Sequence, residues 1–425
     1  MGKKIFLFFV AVMLFTFLRG FLILVAPFFL IVLIYLFKLK LTKNLLVSLL
    51  LMLVGLGVNL LFYETFFINN IFSILLMYLP ILVLLSKPNR HFFSLDLWMS
   101  ISSIVLIIVN ITAFLNFIYV YITGVGILDD GFNGLYGRSG LSMHTFSLIN
   151  FIYTIFYFTK ANYKKAVFFL VCGFMCFYGL GNLLFIGALG IIFLSSLNKK
   201  YLKYLILLPI SLWLIIFITT KLDPTAFSYM NENISRAKYA INNKIPYESE
   251  LKDVKVFKTV KTPRKIMAYE GGIRVLANPV VFLFGVSPGT YNSRVSFLLN
   301  GEYTRNSLFK KIKNRPFYAN YHVYPLWNNN ITFQYNDGTR NEPFSSILAL
   351  LVEYGVLQTL LIGFLLWNSF KRLKSSNEDY KFFIQFIFVF LVLNLLTENY
   401  FEYPEFIFLI IIIYKSLESR NVKIA

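Results

Sequence analysis

Glu353 stands in the apolar run Leu351-Val352-Glu353-Tyr354-Gly355, where a carboxylate is costly and is therefore a functional candidate. Glu342 precedes it by almost three helical turns, so on one helix the two carboxylates share a face about 16 Å apart along the axis. Ser346 and Ala349 fall on the same stripe, and their small side chains leave room for a groove running inward. Carboxylates so placed suit general-base work on a hydroxyl. A second candidate is Arg138, at the end of Gly131-Phe132-Asn133-Gly134-Leu135-Tyr136-Gly137-Arg138-Ser139-Gly140. The glycines let backbone approach a ligand closely, and the planar guanidinium matches a diphosphate with paired charge-assisted bonds. His144 follows, readable as an acid or base or as an ordinary helix-end histidine. A third block runs from Gly271-Gly272-Ile273-Arg274 through Asn278-Pro279 to Gly285-Val286-Ser287-Pro288-Gly289-Thr290-Tyr291. It reads as a short helix opened by Arg274 and closed by a Gly/Pro turn.

Further along, Arg315, Tyr318, Tyr321, His322, Tyr324 and Trp327 interleave bases with aromatics. Such faces stack on sugars while the bases hold phosphate, although the same residues also suit a segment resting on a bilayer surface. Arg294 and Arg340 are further cations of the same segment that could hold an anionic substrate, and His322 is a second base candidate. The chain has three histidines, no Cys/His cluster and no Asp-x-Asp pair, and it lacks a P-loop, a dinucleotide glycine motif and a nucleophile elbow. Neither a metal nor a cofactor is expected, so any reaction rests on side-chain electrostatics and a base.

These residues need a scaffold, and composition says which. The chain has 425 residues, 58% of them hydrophobic and 14% charged, with a mean hydropathy of +0.68. A soluble domain cannot hide that much apolar surface, whereas a bilayer accepts it. The net charge of +20 sits mostly in short clusters beside apolar runs, where it sets topology and meets anionic lipid; nucleic acid is not an expected partner. Apolar runs at 5–18, 20–37, 44–62, 70–86, 97–122, 142–159, 166–180, 183–197, 204–220, 344–367, 382–397 and 404–414 predict an all-α polytopic membrane protein with about twelve spans. Residues 5–37 must fold back near Arg19-Gly20, and 166–197 near Gly179-Leu180-Gly181-Asn182. With both termini inside, Lys3, Lys4, Lys38, Lys40, Lys43, Lys87, Arg90, Lys160, Lys164, Lys165, Lys199, Lys200, Lys203, Lys371, Arg372, Lys374, Lys381, Lys415, Arg420 and Lys423 are cytoplasmic. Glu64, Asp129, Asp130, Glu398, Glu402 and Glu405 lie outside with few bases, Arg19 and Arg138. The layout is an N-terminal bundle over 1–220, a large, mainly helical extracytoplasmic loop over 221–343, and C-terminal spans over 344–425. Helices are expected at 226–243 and 264–284, and a strand at Ile331-Thr332-Phe333-Gln334-Tyr335. Cys172 and Cys176 share a helix face and read as buried core residues.

Together these segments resemble the O-antigen polymerase and ligase superfamily of membrane glycosyltransferases. Three blocks in order carry the resemblance: Gly134-Leu135-Tyr136-Gly137-Arg138-Ser139-Gly140; Arg274 to Gly289, with an Arg-x10-Gly spacing from Arg274 to Gly285; and Pro343-Phe344-Ser345-Ser346 leading to Glu353. The resemblance implies a polyprenyl-diphosphate-linked oligosaccharide as donor, held by arginines on the outer face of the cytoplasmic membrane. An acceptor sugar hydroxyl attacks its anomeric carbon and the diphosphate leaves. Arg138 and Arg274 then contact the donor, and Glu353 is the buried glutamate of the family. Two positions depart from the pattern. Phe344 stands where many ligase-like members have a histidine, which leaves Glu342 or His322 as substitutes and tilts the reading from ligase to polymerase. Gly179-Leu180-Gly181-Asn182 replaces a turn that in many members carries a Ser-Arg pair. The expected activity is polymerisation of lipid-linked repeat units of an O-antigen, capsule or exopolysaccharide, with a chain-length regulator and a flippase as partners. The alternatives are ligase-type transfer to lipid or protein, and a transporter of lipid-linked sugars.

Overall fold

A computed structural model describes residues 2–63, 66–124, 131–137, 142–176, 178–196, 245–255, 262–300, 314–327 and 345–420, with a few isolated residues between 235 and 243. The described residues are helical and contain no strand; a single bridge joins Lys40 and Lys87. The helices are α1 (Gly2–Phe15), α2 (Leu22–Phe37), α3 (Lys43–Phe62), α4 (Phe67–Ser73), α5 (Leu79–Leu85), α6 (Leu95–Thr123), α7 (Ser142–Thr159), α8 (Tyr163–Met175) and α9 (Gly179–Ser196). Then come α10 (Tyr247–Lys255), α11 (Arg264–Val275), α12 (Pro279–Phe284), α13 (Arg294–Leu298), α14 (Phe317–His322), α15 (Ser346–Ser376), α16 (Lys381–Thr397) and α17 (Pro404–Ser419).

Six stretches are long and apolar enough to cross a membrane: Phe17–Phe37, Lys43–Phe62, Phe67–Leu85, Leu95–Thr123, Ser346–Ser376 and Glu378–Thr397. Gly179–Ser195 is a shorter apolar helix. The other expected spans fall on α1, α7, α8 and α17, which are helices but not among the six, and 204–220 lies outside the described residues. Leu24, Phe28, Ile31 and Tyr35 form an exposed apolar stripe on α2, while Ala26, Leu30, Leu33 and Phe37 are buried. A helix apolar on both faces belongs in lipid, with its inner face against protein. All of α17 from Pro404 to Ser419 is buried, so it is the central post of the bundle. Lys415, inside that post, is balanced by Glu418 at 2.6 Å and donates to the Ser86 carbonyl.

The helices break near both expected places. Between α1 and α2 the chain makes a 3-10 turn over Phe17–Phe21, where the Thr16 side chain accepts from the Leu18 N–H. Helix α8 ends at Met175 and α9 begins at Gly179, so Gly179-Leu180-Gly181-Asn182 opens α9 and the break falls before it, not on it. The connections sort to two ends. At one, Lys3 lies over the Phe92 ring, the Lys40 and Lys87 backbones pair, Lys160 meets Asp96 at 3.0 Å, and Arg420 meets Asp379 at 3.1 Å. The other end carries the candidate residues. There a second small core joins Met267, Val275, Val281, Tyr291, Phe297 and Val323 to Leu348 and Val352 of α15.

Residues 264–284 are helical as expected, but in two pieces with a different punctuation. Arg274 closes α11 rather than opening a helix; Asn278 caps α12 by accepting from the Val280 N–H, and Pro279 occupies its first turn. Proline has no N–H to give and is preorganised for that position, so the break falls there. The expected strand at 331–335 and nearly all of 226–243 lie outside the described residues.

Candidate functional site

Helix α12 descends into the bundle along α3. Its C-terminal Phe284 carbonyl sits 3.3 Å from where a Cβ on Gly55 would stand. Gly55 is seven residues before the end of α3, about 10 Å down the helix. The chain then turns at Gly285 and returns through Val286–Ser293 without helical hydrogen bonds, a re-entrant segment. Non-helical backbone at that depth is tolerated only where protein supplies partners for its polar groups.

Glu353 is the main partner. One carboxylate oxygen accepts from the Gly289 N–H at 2.6 Å, and the other from the N–H groups of Tyr291, Asn292 and Ser293 at 2.9, 3.0 and 2.9 Å. Glu402 continues the run, accepting from the N–H groups of Arg294 and Val295 at 2.5 and 3.2 Å. Two glutamates thus hold six backbone amides of the seven-residue stretch from Gly289 to Val295. Asn69 donates to the Gly289 carbonyl at 2.7 Å, and Ser287 donates to Asn70 at 2.7 Å. Helix α15 is itself broken at Gly355, with φ 80 and ψ 166. The Val352 and Glu353 carbonyls just before the break accept from the Val286 and Ser287 N–H groups at 2.8 and 3.3 Å. Gly285, at φ 78, and Gly355 abut: a Cβ on the first would stand 2.3 Å from the Glu353 carbonyl oxygen, and on the second 2.3 Å from that of Leu283.

The other predicted residues divide. Arg274, half exposed, is held by Glu270 at 3.0 Å and Glu248 at 3.4 Å, with its guanidinium 4.6 Å from the centre of the Tyr247 ring. His322 is buried and shares a 2.8 Å hydrogen bond with the Tyr247 hydroxyl, so Arg274 and His322 meet on one tyrosine. Burial pushes that hydroxyl's pKa up. Arg294 donates to the Glu402 carbonyl at 3.1 Å and lies 4.2 Å from the Tyr403 ring centre. Arg315 is exposed at the start of α14. Arg138, Arg340, Glu342 and Phe344 lie outside the described residues. The groove expected along Ser346 and Ala349 is filled. Ser346 donates through N–H and hydroxyl to the Glu398 carbonyl at 3.0 and 3.1 Å, and Ala349 is fully buried. Small residues on α15 make room for a neighbouring turn, not for a channel.

That turn, Glu398 to Glu405 between α16 and α17, is what sequence reasoning missed. Glu398 meets Lys265 of α11 at 2.9 Å, Glu402 holds α13, and Glu405 meets Arg19 at 3.2 Å, all three acids being buried. Arg19 also donates to the Tyr136 and Gly137 carbonyls at 3.2 and 3.4 Å and stacks on the Tyr136 ring at 4.1 Å. Thr145 bridges Tyr136 and Glu405 at 2.8 and 3.3 Å. Three acids in so short a connection are the signal that the sequence offers. Among the described residues no group of His, Cys, Asp and Glu could hold a metal ion, and Cys172 and Cys176 are free and buried. No protein-family model matches the chain, and no curated protein is significantly similar to it.

Proposed function

We propose that the protein is a metal-independent membrane glycosyltransferase that polymerises lipid-linked oligosaccharide repeat units. It transfers a polyprenyl-diphosphate-linked glycan to an acceptor sugar hydroxyl on the outer face of the cytoplasmic membrane. On this reading the chain crosses about twelve times, its termini are cytoplasmic, and the end carrying Glu353 faces outward with the 221–343 loop. The observation that carries the proposal is that one short turn contacts the first and third sequence blocks of the resemblance and the segment directly after the second. Glu405 reaches Tyr136-Gly137 through Arg19. Glu402 holds the segment that follows Arg274 to Gly289. The Glu398 carbonyl accepts from Ser346, at the head of the Glu353 helix. Blocks that are far apart in the chain thus share one polar end, opposite the lysine-rich end, as positive-inside orientation requires.

The geometry also distributes roles. Glu353 has both oxygens committed to backbone amides, so it positions the re-entrant segment. Arg274, stacked and flanked by carboxylates, is a cation held in place for a diphosphate that would displace Glu248 or Glu270. Deleting the gene in its host and resolving the surface glycan on a gel tests the reading. Single repeat units on the final carrier are the expected outcome. Long lipid-linked chains that accumulate would instead mean a ligase, and repeat units trapped on the inner face a transporter.

A further inference from the structure

Beside the re-entrant segment the outer ends of α7, α9 and α16 come together around a second polar group. The His144 ring stacks on Tyr178 with centroids 3.8 Å apart, and the Tyr178 and Tyr400 hydroxyls are 3.3 Å apart. Two residues before Tyr400, Glu398 gives one oxygen, Oε1, to Lys265 at 2.9 Å. Its other oxygen, Oε2, is buried and has no hydrogen-bond partner. The same holds for His144 Nδ1, Asn394 Oδ1 and Asn399 Oδ1. The two asparagine amides are not interchangeable end for end. Their nitrogens donate to the Phe390 and Asn292 carbonyls at 2.7 and 2.8 Å, so the oxygens are what is left over.

The glutamate and the two asparagine oxygens are acceptors whatever the His144 tautomer; orphaned buried acceptors are costly, and a native fold keeps them where something else supplies donors. A diphosphate has only acceptors and does not answer this set. A polyol does, because each hydroxyl brings a donor. Glu398 itself is 1% exposed, while its partner Lys265 is 20% exposed.

Resting on the glycosyltransferase reading, we infer that this is the acceptor-sugar site and that Glu398 is its base. The acceptor hydroxyl oxygen bonds to the anomeric carbon of the donor. The bond from that carbon to the diphosphate oxygen breaks, and its electron pair leaves with the lipid diphosphate. The hydroxyl proton passes to Glu398 Oε2. Burial pushes the Glu398 carboxyl above the usual range and the Lys265 ammonium pulls it back. Tyr269 of α11 and Tyr400 also face it, and His144 of α7 lies in the field of Lys265.

The test uses the purified full chain and the lipid-linked repeat unit extracted from the deletion strain, with polymer formed as the readout across pH. If the wild-type protein makes no polymer from that lipid, the glycosyltransferase reading itself falls. If it does, Glu398→Gln should lower the rate about 100-fold or more, with Glu398→Asp recovering part. Lys265→Met should move the acid limb of the pH profile upward, because the cation that favours the carboxylate is gone. A Glu398→Gln enzyme at the wild-type rate overturns the inference. Should that variant lose its cooperative unfolding transition, Lys265→Met decides: an acid limb that stays in place means Glu398 only braces the turn.

Discussion

At the scale of single residues, Glu353 shows how an intramembrane carboxylate can be required without touching a substrate. Its four amide partners belong to backbone that has no helix or sheet to satisfy it, and water is not at hand. Glu353→Gln keeps the volume but turns one acceptor into a donor, so at least one N–H is left facing another. Each buried unsatisfied donor costs about 1–3 kcal/mol. The variant should therefore unfold at lower temperature in detergent, and trypsin should cut sooner after Arg294. Unchanged melting and unchanged protection at Arg294 would refute the positioning role. A carboxylate in a span is visible in the sequence as unusual; what it bonds to is not, because its partners are sixty or more residues away and carry no side-chain signature.

At the scale of elements, the contact between α12 and α15 is a backbone contact. Gly285 and Gly355 both hold positive φ, and each lies where a Cβ would strike the other strand of the crossing. Gly285→Ala and Gly355→Ala should each sharply reduce the yield of monodisperse protein. The double variant should be little worse than either single one, since both break the same crossing and their costs do not add. Additive losses, or wild-type yield from either variant, would show that the two helices tolerate separation. The sequence pointed to Gly285 as a turn and placed Gly355 beside Glu353. It did not reveal that the two glycines meet, since close approach of two backbones leaves no trace in hydropathy.

For the whole molecule, the prediction concerns sidedness. Single cysteines placed at Lys38, Asp96 and Asp379, with Cys172 and Cys176 replaced by alanine, should react with a membrane-impermeant thiol reagent only from the cytoplasmic side. Cysteines at Thr123 and Asn278 should react only from outside. Labelling of both groups from one side would break the two-ended arrangement.

The sequence by itself determined the membrane class, the helical content, the two helix breaks and the gathering of Lys3, Lys40, Lys87, Lys160 and Arg420 at one end. Those follow from transfer energies and charge placement, which are summed along the chain and need no knowledge of neighbours. The sequence also marked Glu353, Arg274 and His322, by residue type alone. Only the tertiary structure decided that Glu353 holds a re-entrant segment, that Arg274 is balanced by Glu248 and Glu270, and that the Glu398 to Glu405 turn joins the blocks. The physical reason is that a buried polar group is defined by its partners. Those partners are set by which helix ends meet, a matter of packing between segments hundreds of residues apart.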